Sequence, residues 1–379
     1  MRLLIAADIF PPESGGPATY CVTLANELTK RGDEVKIVSL NSSSDASHVS
    51  CNMYHVTKRN KLLKYLLYIY LLWKHGKNID VIYAMGPVNA GLPALIAAKL
   101  RRKKFVVKVV GDYAWEIASQ KYKVESIKPI DEFQKHGGCG LKISVLRFVE
   151  RFVVRKADQV IVPSKYLKGI VEGWGAKKDN VELICNEVEF ISADPIKHDG
   201  EKWLVSVGRL VPWKGMDTLI EVISDISEQF PESGWKLKIV GDGPEMNNLK
   251  KKVIDNNLTD IVQLTGNLSK EKTLAYMASA DVFILNSAYE GFSHVLIEAH
   301  NQGVPVLASR VGGNLEVVAY PALFEYNNKK EIEEKVLLNS NVDKGESIPH
   351  RFGLTDMVTD TIRVLENKKQ FNNIRPLNN

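Results

Sequence analysis

Two glutamates, Glu290 and Glu298, are separated by seven residues on either side of a predicted turn. Residues 281–285 before the turn are short and apolar, which predicts a buried parallel strand. Residues 295–302 after it predict a helix that ends at Gly303. Because the turn joins the carboxyl end of a strand to the amino end of a helix, its free N–H groups can bind an anion. The two carboxylates can accept hydrogen bonds from hydroxyl groups, so we predict a polyhydroxylated, phosphate-bearing ligand here.

Two cations follow another predicted strand, residues 203–208. Arg209 comes directly after this strand, and Lys214 lies slightly further along the chain. An arginine grips a phosphate with a fork of N–H groups, whereas a lysine supplies a point charge. Together they can neutralise a diphosphate and stabilise it as a leaving group. The alternative interpretation is that both are solvated loop charges.

An acidic side chain and a glycine pair occupy comparable places in the first half of the chain. Asp112 follows the predicted strand at residues 105–110, where a carboxylate is well placed to act in a cleft. A structural role, as the cap of the next helix, is the rival interpretation. Gly15 and Gly16 lie between a first strand and a first helix, where glycines let a ligand approach the backbone closely. Taken alone, the pair indicates only a tight turn.

The order of the predicted elements indicates an α/β fold with two doubly wound domains. Strands and helices alternate along residues 1–190, and a second alternation occupies residues 191–354. A closing helix is predicted within residues 355–379, and the polar segment 116–140 is predicted to be an irregular, substrate-facing loop. At 379 residues the chain is also too long for one ordinary core. We therefore expect two domains that face each other across a cleft.

Composition and charge argue against several function classes. The hydrophobic share of 45% and the charged share of 25% are typical of a globular protein. A net charge of +5, with no concentrated basic stripe, does not indicate nucleic-acid binding. The first loop lacks the GxGxxG pattern of nicotinamide-dependent dehydrogenases. Four scattered cysteines without metal-ligand spacing favour free thiols in a reducing compartment.

The helix predicted over residues 58–78 can bring the protein to a membrane. Its apolar run carries tyrosines and a tryptophan and is flanked by basic residues. This composition is typical of an interfacial helix on an anionic membrane. The alternative is a sheet-covering helix that is buried nearly all round. No secretory signal is evident and no apolar stretch reaches the roughly 20 residues of a spanning helix, so we expect a cytoplasmic protein, with contact at the inner membrane face as a hypothesis.

Five sequence fragments, taken together, resemble family 4 of the retaining, nucleotide-sugar-dependent glycosyltransferases of GT-B fold. The resemblance covers most of the chain, and the fragments occur in the right order. They are the pair Gly15 and Gly16, the cations Arg209 and Lys214, the glycine turn 241–244, the E-x7-E pair Glu290 and Glu298, and the glycine-containing stretch that follows this pair, at residues 303–306 and 312–316.

The resemblance implies two Rossmann-like domains, with the closing helix crossing back onto the N-terminal domain. It implies that Gly16 approaches the donor phosphate, that Glu298 binds the ribose hydroxyls and that Glu290 positions the transferred sugar. The base would be contacted through the backbone of the loop at residues 267–268. The full set of implied donor-binding residues is Gly15, Gly16, Gly241, Asn267, Leu268, Gly291, Phe292, Ser293, His294, Val295 and Glu298.

Three departures from the family pattern bear on the site. Many members carry a histidine in the cleft after the strand that ends at residue 110, and this chain has Gly111 and Asp112 there. Asp112 therefore becomes the catalytic candidate. The interdomain Asn-Gly-Val-Asp pattern reads Asn-Glu-Val-Glu at residues 186–189. Ser293 stands where a glycine is common, which slightly alters the turn near the sugar.

The implied reaction is transfer of a hexosyl group from a UDP- or GDP-sugar, with retention, to a glycan, lipid-linked or small-molecule acceptor. Attack on the face from which the phosphate leaves needs no protein nucleophile. Arg209 and Lys214 would stabilise the departing diphosphate, with Glu290 and Asp112 as the other catalytic candidates. The sequence has no Asp-x-Asp triplet. The two cations can carry the phosphate charge, so we predict no metal and no cofactor.

Other functions stay open at this point. A sugar-nucleotide epimerase of the same fold would convert the donor without an acceptor, and a cofactor-dependent phosphorylase would need a Schiff-base lysine that the sequence does not reveal. A non-catalytic sugar-nucleotide-binding partner of a membrane assembly would bind the donor without transferring it. The resemblance and the basic aromatic helix favour polysaccharide or lipid-linked glycan biosynthesis.

Overall fold

The computed structural model describes residues 1–11, 16–41, 46–57, 60–122, 130–136, 140–186, 191–198, 200–338 and 354–366. It contains two parallel sheets, of seven and six strands. Several positions considered above lie outside the described residues: Gly15, one of the four cysteines (Cys139), and residues 58–59, 123–129, 137–138, 187–190 and 367–379.

The first unit is built on the seven-stranded sheet. Its strands are β1 (Arg2–Ala7), β2 (Glu34–Ser39), β3 (Asn52–His55), β4 (Val81–Met85), β5 (Lys104–Lys108), β6 (Gln159–Val162) and β7 (Val181–Leu183). They lie in the order β3-β2-β1-β4-β5-β6-β7, with every neighbouring pair parallel. The helices are α1 (Gly16–Lys30), α2 (Lys61–His75), α3 (Gly91–Arg101), α4 (Tyr113–Lys121), α5 (Ile130–His136), α6 (Leu141–Lys156) and α7 (Lys165–Gly173). Since helices cover both faces of the sheet, the central strands are buried, apolar runs.

The second unit is built on the six-stranded sheet. Its strands are β8 (Lys202–Val207), β9 (Trp235–Val240), β10 (Val262–Leu264), β11 (Val282–Leu285), β12 (Val306–Ser309) and β13 (Leu323–Phe324). They lie in the order β10-β9-β8-β11-β12-β13, again all parallel. The helices are α8 (Met216–Gln229), α9 (Met246–Asp255), α10 (Lys270–Ala278), α11 (His294–Asn301) and α12 (Lys329–Leu338).

A closing helix, α13 (Leu354–Leu365), returns to the first unit. Met357 and Val358 are buried in the same apolar cluster as residues of β1 and α1. The hydroxyl of Thr361 lies 2.9 Å from that of Tyr20 on α1, within hydrogen-bond distance. The predicted crossing of the closing helix onto the N-terminal side is therefore confirmed.

The segment 116–140 differs from its prediction as an irregular loop. Within its described parts, α4 continues to Lys121 and α5 forms a second short helix. Trp115, Ala118 and Phe133 are buried, and their burial stabilises helices that the polar composition did not indicate. The loop prediction is therefore wrong for these residues.

The helix α2 is confirmed within residues 58–78, and it is not buried all round. Tyr68 and Leu72 are fully buried on the sheet. Leu62 exposes 71% of its surface and Leu66 exposes 54%. The alternative of nearly all-round burial is therefore wrong, because only one side of this apolar helix has a partner among the described residues.

The two units meet at the carboxyl ends of their strands. In each sheet the chain order reverses beside the first strand, between β1 and β4 and between β8 and β11. Ligands bind at such switch points in open α/β sheets. The loop after β5 and the loop after β11 are joined directly, since the N–H of Asp112 donates a 3.0 Å hydrogen bond to the hydroxyl oxygen of Tyr289.

Candidate active site

The turn after β11 lies against the loop that carries the predicted cations. Lys214 ends a short 3₁₀ helix (Pro212–Lys214) and forms an ion pair with Glu290. The two side chains expose only 15% and 11% of their surface, so bulk salt screens the pair weakly. The N–H of Ala288 donates a 2.8 Å hydrogen bond to the carbonyl of Trp213, which fixes the two loops together. Arg209, in the same loop, is exposed.

The second signature carboxylate has its own lysine. Glu298, on α11, pairs with Lys270 in the first turn of α10. The contact brings the preceding loop, with Asn267 and Leu268, close to Glu298. The sequence interpretation missed Lys270, and the available signal was its position directly after that loop.

The glycines of the motifs pack loops against each other. A Cβ on Gly241, which has φ of +139°, would overlap the carbonyl oxygen of Gly208. This glycine therefore supports the loop that begins at Arg209. A Cβ on Gly291 would overlap the carbonyl oxygen of Val110, so this glycine permits the close approach of the two units.

The start of α11 faces the loop after β1. Nε2 of His294 lies 3.5 Å from the place of a Cβ on Gly16 and 3.0 Å from Nδ2 of Asn186. Burial, followed by the nearby charges of Lys108 and Lys270, lowers the pKa of His294 to about 4. The ring is therefore neutral at neutral pH.

The same turn leaves backbone donors for a ligand. Ser293 holds the N-cap position of α11, yet its side chain makes no capping hydrogen bond. Phe292 and Ser293 are buried, whereas Val295 is half-buried. The side chain of Ser293 therefore does not occupy the first N–H groups of the helix, and their binding of an anion stays a prediction.

Lys108, the last residue of β5, is a candidate that the sequence interpretation missed. It exposes 1% of its surface, and its Nζ has no hydrogen-bond partner among the described residues. The amine lies 3.8 Å from the centroid of the Tyr20 ring. Burial lowers the pKa of Lys108 to about 7. The available signal was a lysine that ends an otherwise apolar strand.

Two other buried polar atoms near His294 lack a partner within the described part of the chain. They are Oδ1 of Asn186 and Oγ of Ser293. Buried polar groups are normally hydrogen-bonded. Together with the unpartnered amine of Lys108, they indicate the place of a polar ligand between the two units.

Asp112 acts as the cap of α4. Its Oδ1 accepts a 2.7 Å hydrogen bond from the N–H of Trp115, and its Oδ2 accepts one from the side-chain amide of Gln134. The residue exposes 1% of its surface. Both carboxylate oxygens are therefore engaged in holding α4 and α5, which is the structural role weighed for Asp112 above.

The helix that Asp112 caps carries a second carboxylate, Glu116. Its Oε1 lies 2.7 Å from the place of a Cβ on Gly111. Burial, with a further contribution from the charge of Asp112, raises the pKa of Glu116 to about 7. The charges of Arg209, Lys214 and Glu290 also act on it. The sequence interpretation missed Glu116 because it placed the residue in a loop.

The motif at residues 312–316 joins the two units. The carboxylate of Glu316 accepts hydrogen bonds of 3.0 and 2.9 Å from the N–H groups of Lys165 and Tyr166, at the start of α7. The hydroxyl of Ser164 donates a 2.6 Å hydrogen bond to the carbonyl of Gly291. This network fixes the signature turn against the first unit.

The described residues show neither a metal site nor a membrane span. They contain no group of three or more His, Cys, Asp or Glu side chains that could hold a metal ion. Of the four cysteines, Cys21, Cys51 and Cys185 are described, and none of the three forms a disulfide within the described ranges. None of the helices in the described ranges is long and apolar enough to cross a membrane.

Several known proteins are similar to this chain. An uncharacterized glycosyltransferase of Methanocaldococcus jannaschii is 25% identical over 346 residues, which cover 89% of this chain and 88% of that protein. The alpha-monoglucosyldiacylglycerol synthase of Streptococcus pneumoniae is 23% identical over 330 residues, which cover 81% and 71% of the two chains. Anabaena HepE, solved in complex with UDP and glucose, has 18% identity and a TM-score of 0.75, with 97% of this chain and 99% of that chain covered.

The comparison with HepE confirms the predicted GT-B fold. Two family models also match adjoining parts of the sequence. The model described as Glycosyltransferase Family 4 matches residues 14–189, and the model described as Glycosyl transferases group 1 matches residues 187–342. The chain therefore belongs to the family 4, group 1 glycosyltransferases, which are enzymes that transfer hexosyl groups from nucleotide sugars.

Proposed function

We propose that this enzyme transfers a hexosyl group, with retention of configuration, from a UDP- or GDP-sugar to a lipid-linked or glycan acceptor. The observation that carries the proposal is the shielded ion pair of Lys214 and Glu290 beside Arg209. When no donor is bound, the two charges neutralise each other. A bound sugar nucleotide would replace this ion pair with two new contacts. Lys214 would bind a phosphate, and Glu290 would accept hydrogen bonds from sugar hydroxyls.

In this proposal the diphosphate lies between Gly16 and the start of α11. The uncapped N–H groups at Ser293 and the unpartnered amine of Lys108 support this position. The ribose hydroxyls would bind Glu298 after it releases Lys270. The base would contact the backbone of the loop at Asn267 and Leu268.

The chemical step forms no covalent bond between the sugar and a protein side chain. An acceptor hydroxyl oxygen bonds to the anomeric carbon as the bond from that carbon to the phosphate oxygen breaks. The electron pair of the broken bond stays on the diphosphate, which takes up the hydroxyl proton. Arg209 and Lys214 stabilise the charge that develops on the leaving group.

Glu116 is our candidate for the acceptor side of the cleft, with Asp112 as its positioning residue. Asp112 caps α4 and so fixes the helix that carries Glu116. The Glu116 carboxylate would accept a hydrogen bond from an acceptor hydroxyl. Its partial exposure and its closeness to the charges of Lys214 and Glu290 support this role.

We also propose the organisation in which the reaction takes place. Residues 1–190 with 355–379 would form the acceptor-binding domain, and residues 191–354 the donor-binding domain. Each sheet lies within one of these parts, and α13 packs on the first. Residues 58–78 would contact the inner face of the cytoplasmic membrane. The exposed side of α2 and the glycolipid product in the name of the Streptococcus pneumoniae relative support this contact.

The deciding experiment combines donor binding with a transfer assay. Purified protein is screened with UDP- and GDP-hexoses by thermal shift, and the shifting donor is then incubated with lipid-linked and glycan acceptors. A donor that binds only the folded state raises its stability by about 2.7 kcal/mol at a hundredfold excess over Kd. Glu290→Gln is compared with Glu228→Gln, an exposed control near the end of α8.

Three outcomes separate the proposal from its alternatives. Transfer that Glu290→Gln abolishes and Glu228→Gln leaves unchanged supports the proposal. Conversion of the donor sugar without an acceptor identifies an epimerase. Donor binding with neither transfer nor hydrolysis across the acceptor panel identifies a non-catalytic binding partner.

A further inference from the structure

The outer side of α6 carries an apolar stripe. Leu141, Val145, Phe148 and Phe152 recur at helical spacing, so they lie on one side of the helix. Their exposed fractions are 82%, 51%, 68% and 38%. The opposite side of α6 is buried on the first sheet. The helix is therefore apolar on two sides, and only one side is covered by described residues.

The neighbouring helices extend this surface. α3 lies between α2 and α6 and contacts both. Leu100 on α3 exposes 64% of its surface, and Tyr70 and Trp73 on α2 expose 49% and 38%. We call the outward surface of α2, α3 and α6 the outer face. An exposed apolar surface that extends over three adjacent helices marks an interaction site.

The charges on the three helices have one sign. Lysine and arginine occupy three positions on α2, two on α3 and five on α6. Of the five on α6, Arg147 and Arg151 are half-buried and donate hydrogen bonds to the carbonyl of Gln134, which leaves three exposed cations. The same helices contain one carboxylate, Glu150, which is buried. The guanidinium of Arg101 lies 3.9 Å from the centroid of the Trp73 ring, at the edge of the apolar surface. The outer face thus combines apolar residues with cations and exposes no carboxylate from these helices.

The outer face begins at the cleft. Each of the three helices leads into the next parallel strand, so its amino end lies near the carboxyl edge of the first sheet. That edge carries the candidate active site. Leu62 and Leu141, the two most exposed leucines of the outer face, stand at the amino ends of α2 and α6. A surface that binds the outer face therefore lies beside the acceptor side of the cleft.

We propose that the outer face binds an anionic lipid bilayer, with Phe148 and Phe152 of α6 inserted at the boundary between headgroups and acyl chains. The lysines and arginines would contact lipid phosphates. This goes beyond the contact of α2 proposed above, because α6 supplies the phenylalanines and three further exposed cations, Lys142, Arg155 and Lys156. A second copy of the chain fits less well, since pairing two outer faces would bring like charges together.

Vesicle flotation of the full chain tests the proposal. The vesicles are phosphatidylcholine with or without phosphatidylglycerol. The double variant Phe148→Glu, Phe152→Glu is compared with Phe230→Glu, a phenylalanine of the second unit with 47% exposure. Circular dichroism melting checks that each variant folds. We expect the parent and Phe230→Glu to float with phosphatidylglycerol only, and the double variant to bind about tenfold less.

Two results would overturn the proposal. The first is a double variant that floats as well as the parent, or a parent that does not float with anionic vesicles. The second is a dimer in analytical ultracentrifugation that the double variant abolishes, which would assign the outer face to a second copy. Because flotation needs no sugar nucleotide, its failure would leave the proposed glycosyl transfer untouched, while a parent that does not float would also contradict the membrane contact proposed for α2.

Discussion

The hydroxyl oxygen of Tyr289 accepts a 3.0 Å hydrogen bond from the backbone N–H of Asp112. Tyr289 precedes the signature residue Glu290, and Asp112 caps the helix that carries Glu116. Tyr289 exposes 4% of its surface, and its ring centroid lies 5.3 Å from that of Trp115. The bond therefore fixes the donor side of the cleft relative to α4.

Removing this hydroxyl should destabilise the protein. In Tyr289→Phe the N–H of Asp112 stays buried without a partner, which costs about 1–3 kcal/mol. Differential scanning calorimetry should show a lower Tm. Tyr320→Phe is the matched control, because Tyr320 exposes 68% of its surface. Equal Tm values for the two variants would show that the hydrogen bond contributes nothing.

The two lysines that pair with the signature glutamates should differ in their effect on turnover. Lys214→Ala removes a cation from the leaving group, so kcat should fall about 10²–10³-fold. Lys270→Ala frees Glu298, which we assign to the ribose, so it should change the donor KM and leave kcat close to the parent value. Steady-state kinetics with varied donor measure both. An unchanged kcat for Lys214→Ala would show that Lys214 does not stabilise the leaving group.

The activity should depend on the ionisation of Glu116. Burial raises its pKa to about 7, and only the ionised carboxylate accepts a hydrogen bond with both oxygens. We therefore expect kcat/KM for the acceptor to rise as the pH increases through 7. This rise should be absent in Glu116→Gln. A variant that keeps the same pH profile would assign the titration to another group.

The raised pKa of Glu116 also predicts how the stability of the protein depends on pH. Between the ordinary pKa of 4.5 and the folded-state pKa of about 7, the folded chain keeps a proton on Glu116 that the unfolded chain loses. The contribution of Glu116 to stability therefore falls as the pH rises across this window. Glu116→Gln should melt at the parent Tm below pH 4.5 and at a higher Tm above pH 7. A constant difference in Tm would contradict the shifted pKa.

Donor binding should add a proton to Lys108. Burial lowers its pKa from 10.5 to about 7, and a diphosphate nearby would favour the charged amine. Calorimetric titrations of UDP at pH 8, in buffers of different ionisation enthalpy, should show proton uptake by the parent. Lys108→Met should bind without it. Lys238→Met, on β9, is the control and should match the parent. Uptake that persists in Lys108→Met would place it elsewhere.

Metal removal tests the prediction that the cations carry the phosphate charge. Transfer activity should persist in EDTA, because Arg209 and Lys214 can stabilise the diphosphate without a metal. Activity measured after chelation, and again after addition of Mg²⁺, decides this. Complete loss in EDTA with recovery in Mg²⁺ would contradict the prediction.

The sequence by itself determined the features that are local in the chain. Alternating strands and helices predicted two α/β units, because consecutive residues form each strand, its loop and the helix that follows. The loop positions of Arg209, Lys214 and Glu290 followed from the same pattern. The resemblance added the crossing of the closing helix, which α13 confirms.

Only the tertiary structure decided which groups are paired, buried or left exposed. Lys214 and Glu290 lie 76 residues apart and Lys270 and Glu298 lie 28 apart, so no local spacing reveals these pairs. The folded structure also shows that Asp112 caps α4 and that Nζ of Lys108 has no hydrogen-bond partner among the described residues. It shows as well that the apolar stripe of α6 is exposed. These properties depend on contacts between distant segments. The sequence pattern of an apolar helix is the same whether its outer side is covered or exposed. Only the folded structure therefore shows that the outer side of such a helix is exposed.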